Sequence, residues 1–372
     1  MSKANSPELL YQIGLTMLPG VGSILAKNLL AYCGSAEAVF KASKQKLMKI
    51  PAIGEDRADG IVNSNILEEA EKELKFIQEF KINCLFFTDE AYPRRLKQVA
   101  DSPLMLYYKG NADLNAEKIV GIVGTRKATE YGKEATRKLV ADLAAHDILV
   151  VSGLAYGIDV AAHSASLENN LKTVGVLGHG LNMIYPTQHA AVAKKMVAQG
   201  GLLTEYKSID AVLQHNFPDR NRIVAGMCDA IVVVESAIKG GAVLTANIAN
   251  SYNREVFAFP GRSIDKTSAG CNFLIKTFKA GIIENAHDLL EAMHWSAQEE
   301  SVKSKGKQKQ LLFALSEEEQ KIYNLLNETP EIEIDKLVDI TAMNSSSLAA
   351  VLLEMEMNGI IVSLPGKRYR LI

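Results

Sequence analysis

The chain has 372 residues, of which 48% are hydrophobic and 23% charged, and its formal net charge is -2. That length holds two or three globular domains, and the charge balance excludes a protein that is basic all over while leaving room for a local basic rim. Cys33, Cys84, Cys228 and Cys271 are widely separated, and the sequence shows neither a signal peptide nor a membrane-length apolar span, so a reduced, cytoplasmic chain without membrane attachment is expected.

Residues 1–82 have helical apolar spacing and carry two similar turns, Leu18-Pro19-Gly20-Val21-Gly22 and Ile50-Pro51-Ala52-Ile53-Gly54, each followed by a helical run. This is a helix-hairpin-helix pattern. Its glycines allow positive φ and leave backbone N–H groups at the next helix start, where a phosphate can sit. Simple packing of a small bundle accounts for the same spacing. The second copy has Ala52 where the first has Gly20, which makes its turn the less suited to a close phosphate.

Residues 83–294 read as an α/β domain. A lead-in across 92–110 predicts one extra strand before the core. Five near-continuous apolar runs then follow, at 119–123, 148–151, 173–177, 230–234 and 255–259, as strands buried on both faces require. Helical spacing fills 131–146, 158–168, 190–199 and 244–252. The alternation predicts a doubly wound, mostly parallel, Rossmann-like sheet with its loops gathered at the strands' C-terminal edge.

Residues 295–314 are polar and lysine-rich without apolar periodicity, which predicts a linker. Residues 315–372 begin with Ser316 and three glutamates, an N-cap with an acidic first turn. Helices are expected at 319–326, 334–340 and 345–358, then strands at 360–364 and 368–371 around a Pro365-Gly366 turn. That is a winged helix. Its recognition helix carries Glu354 and Glu356 and no lysine or arginine, which favours protein docking over duplex reading.

The chemistry lies in the glycine turns that follow the strands. Gly124-Thr125-Arg126 offers backbone amides and a guanidinium fork to a phosphate. Gly153 follows the second strand and Gly178-His179-Gly180 the third. Phe217-Pro218-Asp219-Arg220-Asn221-Arg222 sets a ring and two arginines at a helix start, and Gly240-Gly241, with Thr245 one turn later, opens another helix. Phosphate cradles, guanidinium groups and one aromatic ring together suit a single-stranded nucleic acid.

No catalytic residue is assigned. The glycine turns contain no nucleophile elbow, no P-loop and no close carboxylate pair. Asp159 and Glu205 could act as acids or bases, but Asp159 reads equally well as a helix-start carboxylate and Glu205 as an arginine partner. His163, His179, His189 and His215 lack metal-ligand spacing, so they are expected in hydrogen-bonded loops or core, with no metal and no cofactor.

Taken in order, Val123-Gly124-Thr125-Arg126, the run from Ser152 through Gly157-Ile158-Asp159 to His163, Leu177-Gly178-His179-Gly180, Tyr185-Pro186, Phe217 to Ile223 and Phe259-Pro260-Gly261 closely resemble the DNA processing protein A (DprA, or Smf) family. The resemblance implies a SAM-like helical domain at the N-terminus, a winged helix at the C-terminus, and a non-enzymatic protein. Such a protein binds and protects incoming single-stranded DNA during natural transformation, loads the RecA recombinase, and forms a homodimer through its Rossmann-like domain. By position, Gly124, Thr125 and Arg126 would form the first phosphate cradle, Gly153 the second, and Gly240, Gly241 and Thr245 the closing turn. Phe217 would stack on a base, Arg220 and Arg222 would hold phosphates, and Asn221 would fix the loop. The apolar stretch 272–283 is where a dimer contact is expected.

Asn182, His189 and Lys239 depart from residues usual in the family. Two readings from other classes compete with single-strand binding. A nucleoside monophosphate phosphoribohydrolase would need a catalytic glutamate that the 239–246 turn lacks, and a nucleotide-sensing DNA regulator would need a basic recognition helix.

Overall fold

The computed structural model describes residues 7–295, 315–329 and 331–372. Chain contacts divide the molecule into two compact units, Met1–Tyr252 with Val256–Glu284, and Asn253–Glu255 with Asn285–Ile372.

The first unit opens with helices α1 (Pro7–Met17), α2 (Ser23–Cys33), α3 (Ala36–Phe40), α4 (Lys44–Leu47), α5 (Glu55–Val62) and α6 (Ile66–Glu79). Ile13, Leu29, Val39, Leu47 and Ile77 are wholly buried, one apolar contribution from each of five helices. Their core continues into Phe86, Met105 and Tyr107. The bundle therefore shares apolar contact with the first hairpin of the sheet. At the polar margin Glu73 of α6 accepts hydrogen bonds from the Ser208 backbone N–H at 2.9 Å and from its hydroxyl.

Both expected hairpin turns form. Gly20 has φ 69° and Ala52 φ 65°, so the alanine holds a left-handed conformation that its partner glycine holds without steric cost. Neither α2 nor α5 has a side-chain cap. α5 carries Glu55 and Asp56 in its first turn, whereas α2 has no acid there. The second hairpin's helix end is thus already matched by negative charge.

Nine strands follow among the described residues: β1 (Asn83–Phe86), β2 (Met105–Gly110), β3 (Lys118–Val123), β4 (Ile148–Ser152), β5 (Thr173–Val176), β6 (Gly201–Thr204), β7 (Ala230–Val233), β8 (Glu255–Ala258) and β9 (Gly281–Ile282). They form one sheet in the order β1-β2-β6-β5-β4-β3-β7-β8-β9. β3 runs parallel to β4 and β7, and β5 parallel to β4 and β6, whereas β2 is antiparallel to both β1 and β6. Ile119, Val120, Val150, Val174 and Val232 have no exposed surface. Burying each such side chain stabilises the fold by roughly 1.5–3 kcal/mol, which is why the runs lack polar alternation.

Helices α7 (Arg94–Lys97), α8 (Glu130–Leu143), α9 (Ile158–Glu168), α10 (Ala190–Gln199), α11 (Asn216–Met227), α12 (Gly241–Ser251) and α13 (Ala269–Lys276) connect these strands. Three strands of this sheet exceed the sequence expectation. The lead-in holds two strands, β1 and β2, where one was expected, because Asn83 to Phe86 finds its partner in Met105 to Tyr108. β6 and β9 are short and acquire strand geometry through pairing, β6 with β5 and β2 and β9 with β8.

The second unit contains α14 (Ala286–Ala292), α15 (Glu317–Glu328), β10 (Ile332–Glu333), α16 (Ile334–Thr341), α17 (Ser345–Met357), β11 (Ile361–Leu364) and β12 (Arg368–Leu371). Ser316 and Glu319 form a reciprocal capping box on α15. α16 and α17 meet at 113°, the geometry of a helix-turn-helix, and β10-β12-β11 supply the wing. Ile322, Leu337, Leu348 and Met355 form its core. Beyond Trp295, the expected linker lies outside the described residues.

All four cysteines are free, and burial pushes the Cys84 and Cys271 thiols up to about 12. Among the described residues no single helix is long and apolar enough to cross a membrane.

Candidate functional site

β3 has β4 on one side and β7 on the other, so the chain reverses its winding there and a crevice opens beyond the strands' C-terminal ends. A cavity of about 320 Å³ occupies that crevice. Gly124, Thr125, Arg126, Gly153, Phe217, Arg220, Asn221, Gly240, Gly241 and Thr245 all line it. Ten of the eleven residues picked from sequence therefore meet in one place.

Their roles differ from one another. The Thr125 amide donates to the Glu235 carbonyl at 2.7 Å, and its hydroxyl accepts from the Lys127 amide at 3.2 Å. The Glu235 carboxylate, buried, accepts from the Thr129 amide at 2.9 Å and the Thr129 hydroxyl at 2.5 Å. A negative group thus already sits at the start of α8. The expected backbone cradle at Gly124 and Thr125 is revised accordingly: what this turn offers is Arg126, exposed and without an ion pair among the described residues, its guanidinium 5.9 Å from the Phe217 ring centre.

α12 is arranged in the opposite way. Gly240 caps it without a side chain and no acid lies in its first turn, so its leading amides face the cavity as an open positive end. Thr245 returns its hydroxyl to the Gly241 carbonyl at 3.1 Å and keeps the turn closed.

Arg220 lies beneath the rim, 4% exposed. Its Nη1 donates to the Gly153 carbonyl at 2.5 Å and to the Val176 carbonyl. A Cβ on Gly153 would collide with this guanidinium, which explains the glycine. Burial raises the Asp159 carboxyl above its ordinary range while the Arg220 charge opposes the rise; Asp159 Oδ2 accepts from the Ala155 amide at 3.4 Å, and Arg220 acts on it through its field and not through an ion-pair contact. Burial likewise lowers Arg220, with Asp159 opposing. The guanidinium stays charged at neutral pH and contributes field more than a direct contact.

Arg222 is the exception among the expected residues. Two residues beyond Arg220, it is rotated about 200° around the helix and points away from the cavity. Its Nη2 donates to Glu205 Oε2 at 2.5 Å and its Nη1 to the Asp101 carbonyl at 2.8 Å. The Asp101 carboxylate in turn accepts from the Tyr252 hydroxyl at 2.6 and 2.7 Å. Arg222 is thus a buttress behind α11. Asn221 lines the cavity instead of fixing the loop, and Asn216 does the fixing, donating from Nδ2 to the Ala211 carbonyl at 3.2 Å while its carbonyl accepts from the Tyr206 hydroxyl.

Of the four histidines near the glycine turns, His163, His179 and His189 are buried and hydrogen-bonded, whereas His215, expected to be hydrogen-bonded as well, is exposed at the start of α11 without a side-chain cap. His163 Nδ1 pairs with Thr173 Oγ1 at 2.7 Å, and desolvation lowers its pKa to about 3. His189 Nδ1 pairs with the Leu154 carbonyl. Among the described residues no group of His, Cys, Asp or Glu is arranged to hold a metal. Ser236 and Ala237, which also line the cavity, escaped the sequence reading because they follow β7 without a glycine between.

Three family models match the chain: the DNA recombination-mediator protein A family over residues 83–294, the DprA winged helix domain over residues 307–367, and a SAM-like helix-hairpin-helix tandem over residues 13–64. Protein Smf of Synechocystis is 33% identical over 402 aligned residues, covering 99% of each chain. Protein Smf of Escherichia coli is 34% identical over 76% of this chain and 75% of its own. Among solved structures, DNA processing protein A of Streptococcus pneumoniae superimposes with a TM-score of 0.67 at 30% identity, covering 76% of this chain and 97% of that one. The Helicobacter pylori protein, described through its single-stranded DNA binding mode, gives 0.53 at 28% identity, covering 58% and 97%.

Proposed function

Because the chain belongs to the DNA recombination-mediator protein A (DprA/Smf) family, we propose that it binds single-stranded DNA in the crevice at the end of β3. One observation carries the reading: an uncapped helix end, an arginine without an ion pair among the described residues and a partly exposed phenylalanine line a single cavity. The first two suit a phosphate and the third suits a base. The single-stranded DNA binding mode named for the Helicobacter pylori relative supports it.

The proposal includes what the family likeness implies: protection of incoming strands in natural transformation, loading of RecA, a cytoplasmic setting, and a homodimer joined through the Rossmann-like domain. Phe278, 98% exposed, and Ile282, at the β9 edge of the sheet, are the apolar surface on which that dimer would close. The working modules are 1–82, 83–294, the 295–314 linker and 315–372. The reading involves no chemical step and no cofactor: Asp159 is buried and accepts from the Ala155 amide, and Glu205 is bound by Arg222 outside the cavity.

The test is a titration of the full-length chain with a single-stranded oligonucleotide, its duplex and a mononucleotide at two salt concentrations. Preferential binding of the single strand is expected, with log affinity falling against log salt by about 0.7 for each phosphate neutralised. Tight binding of the mononucleotide alone, or release of its base, would reassign the cavity to a sensor or a phosphoribohydrolase.

A further inference from the structure

Outside the cavity lining, the rim continues as an aromatic surface. The Tyr185 ring lies 5.5 Å from the Phe217 ring, tilted by 46°, and Tyr185 is 49% exposed. Both rings are placed by the same turn after β5. The Phe217 ring lies over Gly178, where a Cβ would come within 2.9 Å of it. Tyr185 is fixed through buried His179, whose Nε2 accepts the Tyr185 amide at 3.2 Å while its Nδ1 pairs with the Gly180 carbonyl at 2.8 Å. Those two partners define the neutral tautomer with the proton on Nδ1.

Tyr185 thus has an anchored backbone and a ring half in water, beside a ring that already faces the cavity. A core tyrosine would be enclosed. A ring held outward next to an anion-binding helix end suits the flat face of a base.

We propose that Tyr185 is a second stacking platform. One base of the bound strand lies on Phe217 and the next, outside the cavity, lies on Tyr185, so the site holds at least two consecutive nucleotides. This inference rests on the single-strand reading above.

The experiment uses the full-length protein and oligothymidines carrying 2-aminopurine at successive positions, with Tyr185→Ala, Tyr185→Phe and Arg126→Ala. The expected result is a loss of affinity on the order of 10-fold for Tyr185→Ala, little change for Tyr185→Phe, and quenching at one probe position that Tyr185→Ala alone abolishes. Tyr185→Trp, which enlarges the ring, is expected to bind at least as tightly, with its indole emission changing on saturation. Oligonucleotide affinity unchanged in Tyr185→Ala, or quenching that survives it, overturns the platform while leaving the single-strand site in place. A wild-type chain that does not bind the oligonucleotide, with Arg126→Ala no different, overturns the site and the platform together.

Discussion

Ala52 sits in a left-handed turn at φ 65°, a conformation that costs an L-residue roughly 1–2 kcal/mol. Ala52→Gly is therefore expected to raise stability by about 1 kcal/mol, read as a shift in the urea midpoint of the folded chain, and an unchanged or lowered midpoint would contradict the argument. The arginines show a second contrast at this scale. Arg126 is exposed and has no ion pair among the described residues, so Arg126→Ala should weaken strand binding while moving stability by less than about 0.5 kcal/mol. Arg220→Ala leaves the Gly153 and Val176 carbonyls without their buried donor and should cost at least about 1–3 kcal/mol. Paired melting and binding curves separate the two; equal melting losses would mean that Arg220 does not hold those carbonyls. The sequence marks Arg220 and Arg222 alike as cations beside an aromatic. Their opposed directions follow from helix phase, and Arg222 could be assigned only once Glu205 and Asp101 were placed behind α11.

Elements were legible where their period was strong. Expectations for 158–168 and 190–199 coincide with α9 and α10, and the five apolar runs match β3, β4, β5, β7 and β8 to within a residue or two. β6, only Gly201-Leu-Leu-Thr, has no alternation to read, and its identity comes from lying between β5 and β2. Element packing also predicts a pH response. His163 on α9 is buried against Thr173 of β5, and its pKa falls to about 3 in the folded chain through desolvation, against about 6.5 unfolded. Below pH 6.5 the unfolded chain takes a proton that the folded chain refuses. Stability should therefore fall with decreasing pH by about 1.4 kcal/mol per unit from this one site, until the folded pKa is reached. Denaturation of the wild type and His163→Gln across pH 6.5 to 5 isolates the slope, since the raised Asp159 acts in both. Parallel curves would show that His163 is not the responsible group.

For the molecule as a whole, the order of helical bundle, doubly wound sheet and winged helix could be read directly, because each piece has its own apolar period. The shared core of bundle and hairpin could not, since Phe86, Met105 and Tyr107 join the helices through contacts far apart in sequence. The sheet's far edge presents Phe278 and Ile282 to solvent, and an apolar edge of this kind favours self-association. If the proposed homodimer closes there, Phe278→Asp is expected to leave a monomer in sedimentation at micromolar concentration where the wild type sediments as a dimer, without lowering the melting temperature of the monomer. A variant that still sediments as the dimer would move the contact elsewhere.

The buried Glu235 carboxylate closes the end of α8 and leaves α12 with an open one. A polyanion laid along this rim would therefore meet one rigid seat, while its neighbouring charges would be met by Arg126, a cation on a long and mobile stem. Such a grip has a single electrostatic point of registration, and the flat rings beside it read no base identity, so the rim has no means of favouring one sequence of a strand over another.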